Sequence, residues 1–125
     1  MAKIQISWPG GSVTATLWDT ATASKLVAAL PVESQASTWG DEVYFRLPFS
    51  AQREANATSV VNKGAVCFWL EGDSLALLFG PTPVSQGDEC RLISDANILG
   101  EIDGDPETLR SVKSGDPIQI HLQKA

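Results

Sequence analysis

Apolar and polar residues alternate in short runs along most of this chain, and the alternation breaks at glycines, prolines and acidic clusters. Residues 3–8 alternate, Pro9-Gly10-Gly11 supplies a turn, and 12–18 alternate again with Val13, Ala15 and Leu17 on one face, which predicts a β-hairpin. The period then changes. Between Asp19 and Leu30, Leu26, Ala29 and Leu30 fall at helical spacing behind Asp, Thr and Ser residues that can cap the first turn, and Pro31 ends the helix. Extended segments are predicted at 34–38 and 42–47, whereas 50–63 is polar without a period. The apolar runs 65–70 and 74–79, parted by Glu71-Gly72-Asp73, predict a second hairpin. Gly80-Pro81-Thr82-Pro83 reads as a rigid turn, 84–95 as a polar loop and 97–102 as a strand. Asp105, Pro106 and Glu107 start a short helix that reaches 112 or 113 before Gly115, and 117–122 is a last strand with Ile118, Ile120 and Leu122 inward.

Seven or eight short strands, two short helices and no βαβ alternation predict one mainly β domain over residues 1–125, an antiparallel sheet that closes or nearly closes into a barrel. In such a barrel Val43, Phe45 and Leu47 claim the interior. Glu42, Tyr44 and Arg46 then share the outer face, with Phe49 and Gln52 just past the break at Pro48. An acid, a phenol, a guanidinium, an aromatic ring and an amide so close together make this stretch the candidate recognition surface.

Charge narrows the choice of partner. Fifteen acidic residues against nine basic ones give a formal net charge of −6, and the bases are scattered among acids, so neither a nucleic acid nor an anionic membrane surface is an expected partner. No apolar run approaches the roughly 18 residues of a membrane-spanning helix. The first residues alternate like a strand and lack the features of a secretory signal, and the two cysteines form no Cys-x-x-Cys pair, so the expectation is a cytoplasmic protein with reduced thiols. A single histidine, His121, argues against a multi-histidine metal site, and the acidic clusters lack the spacing of a calcium loop; no metal or cofactor is expected.

Three blocks carry a resemblance to a known family: Thr38-Trp39-Gly40-Asp41-Glu42-Val43-Tyr44-Phe45, then Gly64-Ala65-Val66-Cys67-Phe68-Trp69 through Phe79-Gly80-Pro81-Thr82-Pro83-Val84-Ser85, then Asn97-Ile98-Leu99-Gly100-Glu101-Ile102. With their spacing they span nearly the whole chain, which resembles the cyclophilin-like proteins, in particular a small bacterial and archaeal branch. The resemblance implies a reduced cyclophilin barrel capped by two helices. Cyclophilins catalyse prolyl cis/trans isomerisation against a barrier of about 18–20 kcal/mol set by amide resonance, with a guanidinium near the imide nitrogen and an apolar pocket for the proline ring. Their Phe-His-Arg, Pro, Phe, Gln order is similar to Phe45-Arg46, Pro48, Phe49 and Gln52. Here the His is absent and the spacing after Arg46 is two residues shorter. The segment 72–77 lacks the family's Gln and aromatics, and the loop that supplies its Trp and His shrinks to 86–91.

Arg46 therefore has two readings: the catalytic guanidinium that the resemblance implies, or a strand arginine paired with Glu42 or another acid. Trp39, Tyr44, Trp69 and Phe79 likewise either line a ligand groove or pack the barrel. Adjacent Asp41 and Glu42 point to opposite faces and make a poor general acid/base pair. The function expected from these features is a binding module whose exterior groove, lined by Trp39, Glu42, Tyr44, Phe49, Gln52, Trp69 and Phe79, takes a small molecule or a proline-containing peptide. A peptidyl-prolyl isomerase using Arg46 is the alternative. A third class is an interaction protein using an exposed strand edge, and the chain is expected to be a monomer or a homodimer.

Overall fold

A computed structural model describes residues 1–123. The alternating runs become β1 (Ala2–Trp8), β2 (Gly11–Leu17), β3 (Val32–Gln35), β4 (Ser37–Thr38), β5 (Glu42–Arg46), β6 (Thr58–Val61), β7 (Ala65–Trp69), β8 (Ser74–Leu78), β9 (Cys90–Asp103) and β10 (Pro117–Leu122). Helix α1 (Ala21–Ala29) follows β2; the Thr20 side chain caps it by accepting the Ala23 N–H at 3.1 Å. The second helix, Pro106–Ser111, is 3₁₀ rather than α. Its start is as expected, with Asp105 as cap and Pro106 in the first turn, but the six residues before the chain turns at Val112 leave little room for α-type bonding.

Every strand pairing is antiparallel, and the order across the sheet is β3-β10-β1-β2-β9-β7-β8-β5-β4, with β6 attached to β9. The two edge strands, β3 and β4, are consecutive in the chain and separated only by Ala36. No ladder joins them, so the sheet is not closed by hydrogen bonds and a fully closed barrel is not what forms. The reason is visible at Ala36, whose backbone is engaged elsewhere: its N–H donates to the Asp116 carbonyl and its carbonyl accepts from the Gly115 N–H, both at 2.8 Å. The curled sheet nevertheless wraps one main core. Ile4, Ile6, Leu17, Phe45, Phe68, Leu77 and Leu99 are buried in it from different strands, and Leu26 of α1 and Leu109 of the 3₁₀ helix plug it.

A second apolar cluster lies on the opposite face of β7 and β8. Ala65, Cys67, Ala76 and Leu78 pack there against Cys90, Leu92 and Ala96 of β9. Two sequence expectations fail at this place, since 84–95 is not all loop and 50–63 contains a strand. β9 is fourteen residues long: its later part pairs with β2 and β7, while Cys90, Arg91 and Ala96 pair with β6. Cys90 and Leu92 alternate inward with Arg91 and Ile93 outward, a pattern cut short by Asp88 and Glu89 before it and Asp95 after it. The loop between β5 and β6 is fixed by fully buried Asn97. Its amide donates to the Gln52 carbonyl at 2.8 Å and to Thr22 Oγ1 at 3.1 Å, and its carbonyl accepts the Glu54 N–H at 2.8 Å.

Candidate functional site

β4 and β5 are joined through Trp39, Gly40, Asp41 and Glu42, and the Trp39 N–H donates to the Glu42 carbonyl at 3.0 Å. Gly40 adopts φ +59°, and a Cβ there would sit 2.9 Å from the Pro81 carbonyl oxygen, so this tight turn requires glycine on both counts. The turn sends Asp41 and Glu42 to opposite environments. Asp41 meets Arg110 in a two-pronged pair at 3.0 and 3.3 Å, and that guanidinium lies 5.0 Å from the centre of the Phe79 ring. Glu42 turns toward the second apolar cluster, opposite Leu78 in register, and is only 4% exposed.

A cavity of about 180 Å³ opens over Glu42, lined by Trp39, Glu42, Tyr44, Trp69, Leu92 and Ile93. The first four come from the β4–β5 turn, β5 and β7; the last two come from the part of β9 that folds across them. Trp69 is held in place twice. Its Nε1–H donates to Ser94 Oγ at 2.7 Å, and its ring lies so close over Gly72 that an added Cβ would fall 2.2 Å from it. Tyr44 meets Trp69 edge-on, with ring centres 6.0 Å apart.

Glu42 is the electrostatic anomaly of this site. Its Oε1 is buried without a hydrogen-bond partner among the described residues, and burial pushes its carboxyl up from the ordinary value to about 7. Burial, with the Glu42 charge nearby and then that of Cys90, pushes the Cys67 thiol far up, so Cys67 is a protonated, inert member of the second apolar cluster. No group of three or more His, Cys, Asp or Glu residues able to hold a metal ion occurs among the described residues.

The structure brings together four of the residues picked out from the sequence, Trp39, Glu42, Tyr44 and Trp69, and separates the other four from them. Arg46 lies at the far end of β5, about 13 Å from Glu42 by strand rise, where it is exposed and 3.9 Å from Asp73. It lines the cleft between β3 and the end of β5 with Pro31, Val32, Glu33, Leu47 and Pro48. Phe49 stacks on Phe68, ring centres 5.4 Å apart, against the main core, and Gln52 offers its carbonyl to Asn97. Phe79 is buried beneath Arg110. Leu92 and Ile93 were absent from the sequence reading because their stretch read as loop; the adjacent apolar pair was their only signal.

A family model described as Cyclophilin-like matches residues 2–121. The chain belongs to the cyclophilin-like family. This cyclophilin-like protein is also similar to the hypothetical protein AF2241 from Archaeoglobus fulgidus, whose solution structure superposes with a TM-score of 0.84 at 29% sequence identity, covering 98% of this chain and 95% of that one. No curated protein matches the chain. Within the cyclophilin-like frame, the residues that follow the order of the isomerase platform are dispersed over a seam cleft, a core stack and a backbone contact, while the aromatic cavity is built on the same strand at its opposite end.

Proposed function

We propose that this cyclophilin-like protein is a ligand-binding module and that its site is the cavity over Glu42, which takes a small ligand with an apolar body and one hydrogen-bond donor. The observation that carries the reading is the Glu42 carboxyl: an unpartnered buried oxygen is costly, and here it sits in a cavity otherwise walled by Trp39, Tyr44, Trp69, Leu92 and Ile93. A donor from a ligand removes that cost. The site lies on the outer face of the sheet, where a groove is expected in the binding reading of this fold. Isomerase chemistry through Arg46 draws no comparable support, because Phe49 and Gln52 do not share a pocket with it.

Amide NMR with a library of small polar aromatics is the direct test, with saturable shifts expected at Trp39, Tyr44, Trp69 and Ile93. A broad library that moves none of them removes the proposal. In a proline-peptide isomerisation assay the wild type and Arg46→Ala are expected to give the same rate as buffer. A catalysed rate that Arg46→Ala abolishes would instead restore the isomerase reading.

A further inference from the structure

The Glu42 cavity combines an acid with aromatic faces and lacks a cation of its own. The cations on and beside the elements packed around Glu42 are already paired, Arg46 at the far end of the same strand with Asp73 and Arg53 with Asp95, while Asp103 on β9 is held by Lys3 and Glu101 on β9 is exposed, with no ion-pair partner among the described residues. Asp41 in the adjoining turn is held by Arg110, and Arg91 on β9 is tied to Glu89. Lys63, between β6 and β7, is tied to Glu107. Cys67 on β7 and Cys90 on β9 are thiols whose ionisation is pushed up, first of all, by burial. The facing positions of β8, Ala76 and Leu78, are apolar.

We propose, resting on the binding role above, that the ligand is a small primary ammonium ion whose N–H groups meet the Glu42 carboxylate and whose charge lies among the rings of Trp39, Tyr44 and Trp69. Three features converge on that class. An ammonium gives Oε1 its missing hydrogen bond in charge-assisted form. It supplies the counter-charge that burial makes necessary once the carboxyl ionises. The electron-rich ring faces attract a cation, most strongly when it is drawn out of water, whereas a neutral donor satisfies the hydrogen bond alone and an anion is repelled. Size is consistent as well: a cavity of about 150 Å³ accommodates benzene, and this one measures about 180 Å³.

Benzylamine and benzyl alcohol share one heavy-atom skeleton and differ in charge, so they separate this inference from the binding role it rests on. Titrated into the whole protein at pH 8 and followed by tryptophan fluorescence, protonated benzylamine is expected to bind roughly tenfold or more tighter than the alcohol. Its affinity is expected to fall by about tenfold per unit as the pH drops below the Glu42 value near 7, while the alcohol's stays level. Glu42→Gln should abolish the preference. Ile93→Asp, at the exposed rim, should enlarge it without depending on how the Gln variant folds. Equal affinities for the two probes in the wild type overturn the ammonium assignment and leave the binding role standing. No response to either probe overturns both.

Discussion

Glu42 shows how one side chain couples stability to protonation. Its carboxyl titrates near 7 in the folded chain and at 4.5 when free of its surroundings. Between those values the folded state binds more protons than the unfolded one, so stability falls as pH rises from 4.5 to 7 and levels off above. The difference corresponds to on the order of 3 kcal/mol for this nearly buried group. Urea denaturation of the wild type and Glu42→Gln at pH 4 and pH 8 should therefore show the variant's relative stability improving by about that amount at the higher pH. An unchanged difference would mean that the carboxyl is hydrated in the native state. Alternation alone placed Glu42, Tyr44 and Arg46 on one face, as observed. What alternation does not encode is whether that face meets water; at Glu42 the answer comes from Leu92 and Ile93, about fifty positions away.

At the scale of elements, the site depends on a pairing between a turn and a strand. The β7–β8 turn presents Gly72 as a flat bed for the Trp69 ring, and β9 secures the indole from the other side through Ser94. Gly72→Ala places a methyl group within the ring's own volume and must expel it, so we expect a loss of about 1–3 kcal/mol in thermal or urea unfolding together with a changed fluorescence spectrum. A variant with wild-type stability and spectrum would show that Trp69 moves aside freely. The two hairpins, α1 and the final strand were legible because their apolar periods are long and bounded by glycine, proline or capping residues. β6 and the start of β9 were not, because they are short, carry polar residues on a half-exposed ribbon and gain their order from pairing with each other.

For the whole molecule, the outer ion-pair chain of Lys63, Glu107, Arg110 and Asp41 ties the 3₁₀ helix to the turn that carries Trp39 and Glu42. Such exposed pairs add little stability individually. The family's overall shape was legible from three sequence blocks, but the open edge at Ala36 was not, since it turns on backbone bonds to Gly115 and Asp116 that no local pattern announces. That edge has a counterpart. At β1 and β10 the Gln123 N–H donates to the Lys3 carbonyl at 2.9 Å, so the ladder joins the first strand to the tenth; at Ala36 the polypeptide runs on where the ladder does not. A circular permutant that links the two ends and is cut at Ala36 would bring both interruptions to one place. It would leave two uncovered strand edges free to swing apart, and sedimentation should find it recruiting a second copy, whereas a permutant cut at Gly87 stays as the parent does.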